Sequence, residues 1–578
     1  MDGVSFPQRR LTAVAAVTAL ATLAVAGCDG RAEHASPTPA ASQAATPSSP
    51  GAPAGGGADP AARAAALVGS LSDEDLAGEV LMPYAYGDSA TKVSAGSAAG
   101  NRKLAGVDTP AEMIAKYRLG GLILVGFSAD DPTGANQATT NVDNPAQVRR
   151  LTAGLQDAAA KLPAGRAPLL IGTDQEYGVV TRIKDGVTLL PAAMAAGAAA
   201  DPQLTERAWT AAGEELAAMG LNVDFAPDAD VLRARSSVIG SRSFGADPKA
   251  TADQVSAAVR GLQGAGMAAT LKHFPGHGGT AADSHSDLPV LKQDRKTLDG
   301  VDFAPFRAGI AAGTDLVMSA HLDARAIDPG TPATFSTKAI TEVLKGQLGF
   351  GGVVVTDGMN MAPAERWPAG EAAVRALKAG NDLLLMPPDI AAAHAGILAA
   401  LRDGSLPRAR LVDAATRVLT LRFRLAGKPA PAMSTLASGA HQDAARRLAT
   451  AAVTELRGGC GALAGPVTVT ASTGRDSTRK LLVTALRADG VKVVDSGGAV
   501  VHLVGYGDGA KDLRAGAAVT VAMDTPYVLA GADSKRLMAT YSSSPAAMTG
   551  LADVLAGKAR PAGRSPVPVP GLPATSCR

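Results

Sequence analysis

Two short elements in the middle of the chain concentrate the residue types that proton transfer needs. The run Lys272-His273-Phe274-Pro275-Gly276-His277-Gly278 is followed, after four residues, by Asp283-Ser284-His285. A carboxylate two residues from an imidazole can orient the ring and raise its basicity, and a histidine near its ordinary pKa can both give and take a proton. Similar groups recur elsewhere: Asp174-Gln175-Glu176 with Arg182, Asp228 and Asp230, Arg242, His321, and Asp357. Taken alone, an aspartate such as Asp357 is more often a turn or cap residue than a nucleophile. What lifts it above that reading is its place beside the others.

That place is set by short apolar runs at 121–125, 168–172, 222–225, 269–271, 315–318, 352–356 and 382–385. They are near-continuous rather than alternating, as strands covered by helices on both sides should be. Helix-forming stretches such as 204–219 and 371–379 lie between them. Repeated strand–helix units over this length favour an α/β fold of the TIM type, a (β/α)8 barrel. The other arrangement, a doubly wound open sheet, would want a glycine-rich phosphate loop after its first strand, and none follows. In a barrel the polar groups should collect where strands end. They do so after five of these runs, which predicts a single pocket at the C-terminal face.

These residues also carry a resemblance. Asp174-Gln-Glu with Arg182, residues 239–244 (Ile-Gly-Ser-Arg-Ser-Phe), the Lys272-to-Gly278 run with Asp283-Ser-His285, and Thr356-Asp-Gly-Met359 resemble the exo-β-N-acetylglucosaminidase branch of glycoside hydrolase family 3, over about residues 65 to 425. The resemblance implies a retaining mechanism with Asp357 as nucleophile, His285 as acid/base and Asp283 orienting it. It also implies that Asp174, Arg182, Arg242, Lys272 and His273 bind the non-reducing sugar, with Asp230 and His321 shaping the pocket and His277 holding the Pro-Gly turn. Tyr177 is a departure, standing where the family usually has glycine. The product would be terminal β-linked N-acetylglucosamine, released from a small glycan or muropeptide. The alternatives are a β-glucosidase or β-xylosidase of the same family, a phosphorolytic variant, and a wall-binding lipoprotein without turnover.

No cofactor is expected, and no metal: His273, His277, His285 and His321 offer four imidazoles but lack His-x-His or His-Glu-x-x-His spacing. Trp209 and Trp367 are expected to pack, and an aromatic content of 3% argues against a long polysaccharide cleft. A net charge of +2 with no basic run gives no sign of nucleic-acid binding.

The ends of the chain speak to location. Arg9 and Arg10 precede an apolar stretch from Leu11 to Ala26, which ends in Val25-Ala26-Gly27-Cys28. This resembles a bacterial lipobox, so residues 1–28 are expected to be a lipoprotein signal with Cys28 lipidated. Residues 29–60, rich in Ala, Ser, Pro, Thr and Gly, cannot bury enough surface to fold and should tether the enzyme to the outer face of the cytoplasmic membrane. The barrel is expected over 61–428 and a smaller α/β sandwich domain over 429–578, with the protein a monomer. Cys460 and Cys577 could pair in an oxidising compartment, though sequence gives no distance between them.

Overall fold

The computed structural model describes residues 59–127, 137–165, 167–235 and 238–577. Cys28 and nearly all of the expected tether lie outside them. Eight parallel strands form the first sheet system: β1 (Leu81–Met82), β2 (Gly121–Ile123), β3 (Leu170–Thr173), β4 (Val223–Asp224), β5 (Ala268–Phe274), β6 (Leu316–Ser319), β7 (Val353–Thr356) and β8 (Leu384–Leu385). Strands β2 to β7 are hydrogen-bonded in order. β1 pairs with β8 in the register Leu81 to Leu384 and Met82 to Leu385. Parallel bridges from Tyr84 to Ile123 and from Val355 to Leu383 close the ring. The expected barrel is therefore present, and it is closed.

Seven of its strands coincide with apolar runs; β1 does not. Its two residues are followed at once by Pro83, so no run announces it. Its place is fixed by its neighbours, because Leu384 N–H donates to Val80 O and Ile123 N–H to Pro83 O. The interior is filled by large side chains opposite small ones. A Cβ at Gly172 would lie 2.8 Å from the Phe225 ring and 3.0 Å from Met82 Cε, so β3 needs glycine there to admit both. Outside the barrel, three helices share one start signal, an Asx cap before proline at the first turn. They begin at Asn144-Pro145, Asp201-Pro202 and Asp247-Pro248, and each cap carboxylate or amide accepts first-turn N–H groups.

The second sheet has β9 (Thr454–Arg457), β10 (Val467–Ala471), β11 (Ala499–Val504), β12 (Val519–Ala522) and β13 (Arg536–Ala539) in the order β9-β13-β12-β11-β10, with only β9 antiparallel. Helices Asp476–Ala488 and Pro545–Leu555 cover one face through Val467, Val501, Leu503, Val519, Val521 and Met538. The opposite face presents Val504, Ala522, Leu537 and Ala539 to Met194, Leu232 and Ile239 of the barrel. The barrel thus supplies the second cover that this sheet requires, and the described residues form one compact unit.

Cys460 and Cys577 are joined in a disulfide, with Cα atoms 5.7 Å apart. It ties the chain end to the segment after β9 across 117 residues. Closing a loop of that size restricts the unfolded chain, so Cys577→Ser is expected to lower stability by about 2–4 kcal/mol. Denaturant midpoints of the oxidised parent and the variant would show this, and equal midpoints would refute it.

Candidate active site

Every sugar-binding and catalytic residue expected from the sequence lines one pocket at the C-terminal face of the barrel, except Asp283, which touches it through His285. The other walls are Phe127, Val180, Ile239, Met318, Met361, Leu385 and Met386. The floor is a lattice of alternating charge. Arg242 grips Glu176 with Nε to Oε2 at 2.6 Å and Nη2 to Oε1 at 3.0 Å. Lys272 Nζ bridges Glu176 at 2.6 Å and Asp174 at 3.0 Å. Arg182 approaches Asp174 at 3.7 Å. Burial opposes ionisation of Glu176, yet Arg242 and Lys272 together hold its carboxyl far below the ordinary glutamate range. Glu176 is thus the shared counter-ion of two cations, a role that the sequence reading did not assign to it. The only signal was its place in the Asp-Gln-Glu run.

Gln175 between these carboxylates works on the backbone. Its Oε1 accepts from Arg182 N–H and Ile183 N–H, and its Nε2 donates to Ile183 O, which folds the loop back so that Arg182 meets Asp174. Tyr177 lies at the turn of this loop with φ of +67°, a left-handed conformation in which glycine is relaxed and tyrosine is strained. Its buried ring packs edge-on against Trp209 at 5.9 Å. Aromatic packing against Trp209 offsets that strain. Trp367 packs too: it meets Phe335 edge-on, and Phe335 stacks on the His321 ring.

His273 is held by Asp230, with Nδ1 2.8 Å from Oδ2, and its Nε2 lies 3.3 Å from Arg242 Nη2. Burial and the neighbouring guanidinium push its pKa down to about 4, so it is neutral at pH 7. Asp228, Asp230 and His273 bring potential ligand atoms within 4.8 Å of one another. A cation already stands there, since Arg242 Nη2 is 3.8 Å from Asp228 Oδ2 and Asp230 is engaged by His273 and the His277 N–H. The donor set suits an Arg-filled polar floor better than a metal. His277 bonds Ser284 through Nε2 at 3.2 Å and so links the Pro-Gly turn to the loop that carries His285.

Asp357 directly follows β7 and is half-buried. Burial pushes its carboxyl up, but the His273, His321 and His285 imidazoles and the Gly358 N–H more than offset this and hold it below the ordinary aspartate range. The Gly358 N–H donates to Oδ1 at 2.8 Å. His321 shapes this turn by donating Nε2–H to Gly358 O at 2.9 Å. His285 stands at the pocket lip, its side chain 44% exposed, with Nδ1 2.7 Å from Asp283 Oδ1. A carboxylate can only accept, so Nδ1 carries the proton and Nε2 is left for chemistry. One carboxylate is thus ionised, rigid and sheltered, while one imidazole is oriented and open to solvent.

The residues and their geometry agree with the family comparison. The model of the glycosyl hydrolase family 3 N-terminal domain matches residues 96–421, more than half of the chain. The chain belongs to glycoside hydrolase family 3. Within the family, it is 40% identical over 278 residues to a β-hexosaminidase of Pseudomonas aeruginosa, covering 47% of this chain and 80% of that protein. A β-hexosaminidase of Alkalilimnicola ehrlichii is 42% identical over 277 residues, covering 46% and 74% respectively. Among solved structures, a family 3 β-N-acetylglucosaminidase from Paenibacillus sp. is similar with a TM-score of 0.75 and 32% identity, covering 86% of this chain and 99% of that one. This chain is accordingly a glycoside hydrolase.

Proposed function

We propose that this family 3 enzyme removes terminal non-reducing β-linked N-acetylglucosamine with retention of configuration. The observation that carries the reading is the division of labour between Asp357 and the His285–Asp283 dyad around one pocket. In the first step the Asp357 carboxylate attacks the anomeric carbon while His285 Nε2 protonates the departing glycosidic oxygen, which leaves a glycosyl ester on Asp357. In the second, His285, now neutral, takes a proton from water, and the hydroxide attacks the anomeric carbon and frees the carboxylate. Asp283 stabilises the imidazolium that gives its proton in the first step and is regenerated in the second. Arg182, Arg242 and Lys272 offer donors to hydroxyl and acetamido oxygens, and Asp174 offers an acceptor. The β-hexosaminidase relatives support the acetamido sugar.

The deciding test is release of nitrophenol from the β-N-acetylglucosaminide and the β-glucoside. Turnover of the first at least a hundredfold faster in kcat/KM is expected; preference for the glucoside would overturn the reading.

The proposed setting is the outer face of the cytoplasmic membrane, with fragments of peptidoglycan as substrate and Cys28 as anchor. The lipobox-like Val25-Ala-Gly-Cys28 and the tether composition support this. Among the described residues no helix is long and apolar enough to cross a membrane. Cys28→Ala is expected to move the protein from the membrane fraction to the soluble fraction of cells. Retention of the variant in membranes would refute the anchor.

A further inference from the structure

The C-terminal sheet carries no residue of the chemical step, yet it touches the sugar site at one polar point. Arg242 sits on a short 3-10 turn, Gly240–Arg242, and its Nη1 donates to Val238 O just ahead of that turn at 3.1 Å. The turn therefore sets where the Arg242 side chain starts, while Glu176 grips its guanidinium from the barrel side. The turn has its back to the second sheet: Ile239 packs in a cluster with Val504, Ala522 and Leu529. The Ser241 hydroxyl, next to Arg242, donates to the Asp524 carboxylate. Asp524 lies just past β12, where Thr525 also comes within 3.6 Å of a Cβ built on Gly240. Arg235, ahead of the turn, lies with its guanidinium 5.0 Å from the Tyr527 ring. Apolar contacts of this kind hold the turn against the sheet but leave it free to slide, whereas a hydrogen bond to a fixed carboxylate sets its position.

We propose that Asp524 is a positioning residue for the sugar site, fixing through Ser241 the turn that aims Arg242. This rests on the reading that Arg242 binds the sugar. The acidic residue at the end of β12 then makes substrate affinity depend on the seating of the second domain.

The experiment compares Arg242→Ala, Ser241→Ala, Asp524→Ala, Asp524→Asn and the Ser241→Ala/Asp524→Ala double variant in full-length enzyme. The readouts are kcat and KM on the nitrophenyl β-N-acetylglucosaminide and the calorimetric affinity for N-acetylglucosamine, with thermal unfolding as a check on folding. Asp524→Ala and Ser241→Ala are expected each to raise KM and weaken sugar binding about tenfold, with kcat within about threefold. The double variant should be no worse than either single one, because the same bond is lost. Asp524→Asn, whose amide oxygen still accepts from Ser241, should restore parental values. The Ser241→Ala arm carries the test should Asp524→Ala fold poorly. If Arg242→Ala weakens binding but Ser241→Ala and Asp524→Ala do not, the proposal is overturned and the sugar-binding reading stands. If Arg242→Ala itself binds sugar normally, both fall.

Discussion

Asp357→Ala is expected to lower kcat by on the order of 10⁴-fold or more, the scale seen when a covalent nucleophile is removed. The structure gives the reason. Asp357 is half-buried just past β7, its carboxyl lies below the ordinary aspartate range, and the Gly358 N–H donates to its Oδ1. Among the described residues no other carboxylate lining the pocket is available to replace it: Asp174 and Glu176 are both engaged by Lys272. Binding should survive the change, because Arg182, Arg242 and Lys272 hold their places through Asp174 and Glu176 rather than through Asp357. The measurement is therefore kcat alongside the calorimetric affinity for N-acetylglucosamine. Retained turnover within a hundredfold of the parent would refute the assignment, and loss of binding with loss of turnover would point to a collapsed pocket instead.

His285→Ala should separate the two steps. On a disaccharide, whose leaving oxygen needs a proton, the loss in kcat/KM is expected to be about 10²- to 10⁴-fold, the usual range for a general acid. On the nitrophenyl glycoside the first step needs little protonation, so kcat/KM should fall far less. The second step still lacks its base. Nitrophenol should then appear in a burst equal to the enzyme concentration, followed by slow turnover as the ester on Asp357 waits for water. Removing Asp283 should give a smaller loss of the same pattern, since the imidazole remains but loses its orienting bond to Nδ1. Equal losses on both leaving groups, without a burst, would rule out His285 as the acid/base.

Much of the site was legible because barrel chemistry is written where strands end. Once apolar runs marked the strands, the polar residues after them marked the pocket, and the Asp-x-His spacing is local enough to form its hydrogen bond within one turn. Legibility failed where a contact is made between distant segments. Glu176 reads as one more acidic residue until Arg242 and Lys272, far along the chain, are brought to it. The short strand Leu81–Met82 has no pattern of its own and exists because β2 and β8 leave a gap that it fills.

By itself the sequence determined the strand–helix alternation and the set of ionisable groups at the strand ends. Both depend on neighbours within a few residues. The tertiary structure alone decided the closure of the barrel, the pairing of Cys460 with Cys577, and the contact of Asp524 with the turn that carries Arg242. These join residues more than a hundred positions apart, and no local propensity reaches that far. Only the packing of whole elements against one another brings such groups within bonding distance.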